Sequence, residues 1–125
     1  EINKNISIFY TQYVPININN FKNKNLFAVA GIGNPENFFN LLYKNNLKIS
    51  KKFFFPDHYE FKRSEILDIL KEAENNNCKL ILTEKDFYRI KKYNFKEIEY
   101  LKLKLEVKNK QKLINKILEN LNESN

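Results

Sequence analysis

Three short polar segments contain the residues that could do chemistry. The segment Gly31–Pro35 (GIGNP) could hold an anion at the start of a helix. Asp57 and His58 place a carboxylate beside an imidazole, a group that titrates near neutral pH and can act as a base or align one. Thr83–Asp86 (TEKD) adds a hydroxyl, an amine and two carboxylates. Each segment follows a predicted strand, so we expect all three at the carboxyl edge of one sheet, where α/β domains bind ligands.

The same residues exclude several common kinds of site. Gly31–Pro35 is not a dinucleotide fingerprint, because Glu36 stands where that motif needs its third glycine. A Walker A motif occurs nowhere in the chain. Cys78, a small apolar residue of a predicted strand, is the only cysteine, and His58 is the only histidine. An internal disulfide, a CxxC site and a His-rich zinc site are therefore excluded, and we predict no metal site in this chain.

Each segment also has a purely structural explanation, and the residue patterns leave both open. Gly31–Pro35 is typical of a tight strand-to-helix turn with Asn34 as the N-cap. His58 could be an exposed loop residue without a task, and Thr83–Asp86 resembles the capped start of a helix. Lys85 fits the structural explanation least well, because a cation in the first helical turn opposes the helix dipole. The position of Lys85 therefore indicates a ligand or an acidic neighbour.

The hydrophobic pattern alternates between strands and helices, which indicates an α/β fold. We predict a three-layer α/β/α arrangement with a mostly parallel sheet of about four strands, Rossmann-like and preceded by a linker strand. Residues 1–25 would form that linker strand and a hinge, with 17–25 as a polar linker, and residues 26–125 would form the domain. The predicted strands are 5–14, 26–30, 47–55, 78–82 and 98–105, and the predicted helices are 35–45, 63–75, 84–92 and 109–122.

The composition is that of a folded domain with a basic surface. Of 125 residues 42% are hydrophobic, and no apolar run approaches the ~18 residues of a membrane span. The net charge of +7 comes with 20 lysines and only 2 arginines, a mix more typical of AT-rich codon usage than of phosphate recognition, which favours arginine. Two other functions remain open. The lysine-rich residues 91–125 could make the chain a small basic α/β module that binds RNA or anionic lipid, or it could be a flavodoxin-like domain for an unrelated small ligand.

Taken together, the three segments resemble one enzyme family. Residues 31–39 (GIGNPENFF), 55–58 (FPDH) and 82–86 (LTEKD) are similar, in order and spacing, to the C-terminal half of tetraacyldisaccharide 4'-kinase, the lipid A 4'-kinase of Gram-negative bacteria. The resemblance covers about residues 6–121. It implies a peripheral enzyme on the cytoplasmic face of the inner membrane. That enzyme uses ATP and Mg²⁺ to phosphorylate the 4' position of the tetraacyldisaccharide 1-phosphate precursor of lipid A.

The resemblance also implies a role for each segment. The family has two α/β domains joined by a two-stranded linker, and the N-terminal domain carries the P-loop, the Mg²⁺ ligands and a catalytic aspartate. His58 matches the histidine that pairs with that aspartate across the cleft, and Asp57 matches its acidic neighbour. The partners implied are the N-terminal P-loop domain, the lipid A disaccharide precursor and the inner membrane surface, with no nucleic acid. The residues that match the cleft loops are Gly31, Gly33, Asn34, Pro35, Thr83, Glu84, Lys85 and Asp86.

Two departures from the family pattern are local, and one is large. Asn37 stands where a basic residue is common, and Lys62–Arg63 replace the usual Thr-Pro start of a helix. The large departure is that no P-loop domain is present in the sequence. Because phosphoryl transfer depends on the parts that such a domain supplies, we expect the chain alone to be inactive.

Overall fold

The computed structural model describes residues 9–123 of the chain. Residues 5–8 of the first predicted strand lie outside the described residues. Single 3-10 turns occupy Ile18–Asn20 and Lys91–Tyr93. The strands and helices are β1 (Phe9–Pro15), β2 (Asn25–Ala30), α1 (Pro35–Lys44), β3 (Lys48–Phe54), α2 (Arg63–Asn75), β4 (Cys78–Leu82), α3 (Glu84–Ile90), β5 (Glu99–Tyr100), β6 (Leu103–Asn109) and α4 (Lys110–Glu123).

Four parallel strands form the main sheet, in the order β3-β2-β4-β5. This confirms the predicted α/β fold with a four-stranded parallel sheet. The central strand β2 has Leu26 to Ala30 buried, which explains why its sequence is a continuous apolar run and not an alternating one. Helices connect the successive strands, as parallel pairing requires.

Both faces of this sheet are covered. Phe27 and Val29 of β2 pack with Ile66 and Ile69 of α2 in one buried cluster. Side chains alternate between the faces along a strand, so Leu26 and Ala28 lie on the opposite face. The helix α1 buries Phe38, Phe39 and Leu42. The ammonium of Lys52 on β3 lies 5.4 Å from the centre of the Phe39 ring.

The contacts divide the chain into two units. Residues 15–102 form the unit with the parallel sheet. The other unit contains residues 1–14 and 103–125, and its described part consists of β1 paired with β6 in a two-stranded sheet, followed by α4. The predicted hinge toward a further domain at residues 1–25 stays a prediction.

The predicted single strand over 98–105 is wrong, because the structure splits it between two sheets. β5 pairs with β4, whereas β6 pairs with β1. Asn17 holds the chain between them: its amide donates to the Tyr100 carbonyl at 2.9 Å and accepts from the Lys102 N–H at 2.8 Å. The alternating pattern extends across this break, because Leu101 is also buried, and so the pattern alone did not reveal it.

The segment 17–25 is also more than a polar linker. Phe21 is fully buried within the unit of residues 15–102, and the ammonium of Lys79 lies 5.4 Å from the centre of its ring. One aromatic residue among asparagines and lysines therefore fixes this segment to the sheet. Among the described residues, no helix is long and apolar enough to cross a membrane.

Candidate active site

The three predicted segments meet at the carboxyl edge of the parallel sheet. Gly31 follows β2, Pro56 to His58 follow β3, and Thr83 follows β4. The strands β2 and β4 are neighbours, and the helices that follow them lie on opposite faces of the sheet. Such an arrangement opens a crevice at the strand ends, which is where open α/β sheets bind ligands.

Asp86 is the buried centre of this edge, with no exposed surface. Its Oδ2 accepts hydrogen bonds from the Gly31 N–H at 2.7 Å and from the Thr83 hydroxyl at 2.8 Å. The Thr83 Oγ1 in turn accepts from the Asp86 N–H at 3.2 Å, so the predicted cap of α3 is confirmed. Asp86 thus joins the loops after β2 and β4, and does not face the solvent.

The two glycines of the first segment lie against these carboxylates. A β-carbon on Gly31 would lie 3.1 Å from Asp86 Oδ1 and 3.1 Å from the Phe61 ring. Both neighbours are buried, so a side chain at Gly31 would displace them. A β-carbon on Gly33 would lie 3.4 Å from Asp57 Oδ2, an ordinary contact with an exposed side chain. The first glycine is therefore required by packing, whereas the second is not.

Arg89 connects the loops and was not predicted from the sequence. Its Nη1 donates to the Gly31 carbonyl at 2.8 Å and lies 3.5 Å from Asp86 Oδ1, and its Nη2 donates to His58 Nδ1 at 3.3 Å. Asp86 Oδ1 has no hydrogen-bond partner among the described residues, and the guanidinium is the cation beside it. One signal could have revealed Arg89: it is one of two arginines beside 20 lysines, and it follows Asp86 by one helical turn.

His58 lies in the left-handed region of the backbone, with φ at 61°. It belongs to a tight turn that is closed by a hydrogen bond from the Tyr59 N–H to the Pro56 carbonyl. The other described non-glycine residues with positive φ are all asparagines, which tolerate this conformation best. The His58 side chain is 77% exposed, so the turn presents its ring at the edge of the sheet.

Asp57 is placed between the His58 ring and the Lys85 ammonium. Its Oδ1 accepts from the His58 N–H at 3.1 Å and lies 3.7 Å from the Lys85 ammonium. Its Oδ2 lies 3.6 Å from His58 Nε2. Lys85, in the first turn of α3, therefore has the acidic neighbour that its unfavourable position indicated.

Aromatic side chains pack together at the turn that contains His58. The rings of Phe55 and Tyr59 stack with centres 5.0 Å apart, and the buried Phe61 meets both edge-on. The Tyr59 hydroxyl donates to Glu65, which lowers the pKa of Glu65 and raises that of Tyr59. An open hollow of ≈ 400 Å³ lies beside the turn, lined by His58, Tyr59, Glu60, Phe61, Arg89 and Lys92.

The remaining predicted cleft residues lie at helix starts. Pro35 is the first residue of α1, and Asn34 precedes it without a side-chain hydrogen bond to the helix. Glu84 is exposed and begins α3. Among the described residues, no group of three or more His, Cys, Asp or Glu could hold a metal ion.

Comparison with known proteins identifies the family of the chain. The family model described as tetraacyldisaccharide-1-P 4'-kinase (LpxK) matches residues 5–122. The chain belongs to the tetraacyldisaccharide 4'-kinase family. The match covers all three loops of the site, together with Arg89.

Individual relatives agree with this assignment. A tetraacyldisaccharide 4'-kinase of Pelagibacter ubique is 38% identical over 125 residues, which are 99% of this chain and 40% of that protein. One of Rickettsia canadensis is 40% identical over 107 residues, which are 85% of this chain and 32% of that protein. The chain thus spans two fifths or less of the length of these 4'-kinases.

A solved structure shows the same fold. LpxK from Aquifex aeolicus, crystallised with ATP, is similar with a TM-score of 0.56 at 18% sequence identity. The similarity covers 89% of this chain and 35% of that one.

Proposed function

We propose that this chain is the C-terminal domain of a lipid A biosynthesis kinase. The whole enzyme would transfer the γ-phosphate of ATP to the 4' position of tetraacyldisaccharide 1-phosphate, and this domain would close the active-site cleft. The observation that carries the proposal is the family match over residues 5–122, because it spans the loops that meet at the sheet edge. The coverage of 40% of a longer relative supports a domain rather than a whole enzyme.

His58 would be this domain's contribution to the catalytic dyad. Its ring is exposed and is held at the edge by a strained turn and by Arg89, which suits a group that meets a partner outside the domain. Asp57 Oδ2 is 3.6 Å from Nε2, too far for a hydrogen bond, so Nε2 can still pair with another carboxylate. A catalytic aspartate of the N-terminal domain would be that carboxylate, and the dyad would align or activate the sugar hydroxyl.

ATP and Mg²⁺ would be held mainly by the N-terminal domain. Mg²⁺ would neutralise the charge on the phosphates during transfer. Asp86 and Asp57 do not fit such a metal site, because Asp86 is buried against Gly31 and Arg89 and Asp57 faces Lys85. Without a P-loop the isolated chain would not catalyse the transfer.

We propose that the enzyme acts at a membrane surface, because a lipid precursor with acyl chains resides in a membrane. The family resemblance implies a peripheral protein on the cytoplasmic face of the inner membrane. A basic surface would favour contact with anionic lipid headgroups, and the net charge of +7 supports this. No role for a nucleic acid is proposed.

The test is a kinetic comparison in the full-length protein. His58→Ala should lower kcat by roughly 10²- to 10⁴-fold, the usual contribution of a positioned acid or base, with little change in KM for ATP. The matched control is Asn23→Ala, another exposed residue with positive φ, which precedes β2 at the opposite edge of the sheet. The control should leave kcat unchanged, and an equally unchanged kcat in His58→Ala would remove His58 from the dyad.

A further inference from the structure

We propose that Arg89 is a positioning residue that selects one tautomer of His58 and orients its ring. This inference rests on the proposed role of His58. Arg89 lies outside the three motifs, and this task is separate from its packing.

The contact between Arg89 and His58 fixes which ring nitrogen accepts a hydrogen bond. An arginine side chain has five N–H donors and no acceptor. Since Nη2 of Arg89 contacts Nδ1 of His58 at 3.3 Å, Nδ1 must offer its lone pair. In the neutral ring the proton then lies on Nε2, the nitrogen that faces away from Arg89. Asp57 Oδ2 is 3.6 Å from Nε2, beyond hydrogen-bond distance, so the Nε2–H can donate to an external carboxylate.

The guanidinium of Arg89 is also held by two groups other than His58. Its Nη1 donates to the Gly31 carbonyl at 2.8 Å and lies 3.5 Å from the fully buried Asp86 carboxylate. The side chain of Arg89 is only 23% exposed, whereas that of His58 is 77% exposed. A half-buried, doubly held group therefore contacts a solvent-exposed ring, so we infer that Arg89 orients His58 and not the reverse.

The planar shape of the Arg89 guanidinium lets it contact two loops at once. A guanidinium is planar and can donate from two separate nitrogens at once, whereas an ammonium donates from a single point. Nη1 serves Gly31 while Nη2 serves His58, so one side chain connects the loop after β2 to the turn after β3. A lysine at this position would keep the positive charge beside Asp86 but could not make both contacts in the same way.

The primary test is the ¹⁵N NMR spectrum of the imidazole in the 125-residue chain. His58 is the only histidine, so one pair of ring nitrogens is observed. In the neutral parent ring we expect the shifts of pure Nε2–H, with Nδ1 and Nε2 far apart. In Arg89→Met the ring should sample both tautomers, and the two shifts should move toward each other, as in free histidine.

Two further variants keep the test interpretable. Arg89→Lys retains a cation beside Asp86 and should fold even if Arg89→Met does not, and its two shifts should lie between those of the parent and of free histidine. Arg63→Met alters the only other arginine, which lies 5.2 Å from the Phe95 ring, and should give the parent spectrum. Parent-like ring shifts in a folded Arg89→Lys or Arg89→Met chain would overturn the inference.

Kinetics of the full-length protein separate this inference from the proposed function. Loss of positioning should lower kcat on the order of tenfold or more in Arg89→Met, with partial recovery in Arg89→Lys and an unchanged KM for ATP. A changed spectrum with an unchanged kcat would overturn the positioning role. An unchanged kcat in His58→Ala would instead overturn the proposed function, and the spectrum would still decide whether Arg89 selects the tautomer.

Discussion

At the scale of single residues, the site depends on contacts that residue types alone do not reveal. Asp86 was predicted as a cap and cleft residue, yet it is fully buried and bonded to Gly31, 55 positions away. His58 was predicted as half of a dyad, which stays a prediction, and the structure adds that its φ is positive, a conformation that costs about 1 kcal/mol or more for a residue with a β-carbon. Neither feature has a signature in a single sequence.

The close approach at Gly31 leads to a stability prediction. Gly31→Ala would place a β-carbon 3.1 Å from both Asp86 Oδ1 and the Phe61 ring, so we expect the free energy of unfolding to fall by about 1–3 kcal/mol, as for other overpacked sites. Urea unfolding would measure the change. Gly33→Ala is the matched control, because its β-carbon would meet an exposed side chain at 3.4 Å, and it should cost less than about 0.5 kcal/mol. Equal costs at the two glycines would contradict the packing argument.

At the scale of elements, apolar patterns predicted the helices and the buried strands well. The run of β2 and the helical stripe of α2 are strong signals because each element buries a regular set of side chains. The strand over 98–105 was wrong because the position of its break is set by the side chain of Asn17, distant in sequence. A local hydrophobic pattern does not show a hydrogen-bond partner that is distant in sequence.

The start of α2 gives a pH-dependent prediction. Glu65 accepts hydrogen bonds from the Tyr59 hydroxyl and the Lys62 N–H, and both lower its pKa from 4.5. A carboxyl whose pKa is lowered on folding stabilises the fold above its unfolded pKa, and this contribution is lost as pH falls through the folded value. Glu65→Gln should therefore be less stable than the parent at neutral pH, and the difference should shrink in acid.

Urea unfolding at a series of pH values would test this. Tyr59→Phe removes the largest cause of the shift and should reproduce part of the effect, whereas Tyr43→Phe, at an exposed tyrosine on α1, should follow the parent curve. A difference between parent and Glu65→Gln that is constant from neutral pH to strong acid would contradict the assignment.

At the scale of the whole molecule, the three motifs indicated the family by their resemblance to it in order and spacing. Their meeting at one edge was predicted because parallel strands bring their carboxyl ends together. The fold class and the meeting of the three loops were therefore predictable. Arg89 was not, because it lies outside the motifs and acts by reaching back to Gly31 and His58. The roles of the cleft residues in binding ATP or lipid stay predictions.

The central claim is that the chain is one domain of a 4'-kinase and completes a site that it does not contain. The most direct measurement is the transfer of labelled γ-phosphate from ATP to tetraacyldisaccharide 1-phosphate, by the full-length protein and by the 125-residue chain under the same conditions. We predict product from the full-length protein and none from the chain alone. Product formed by the chain alone, or none formed by the full-length protein, would contradict the account.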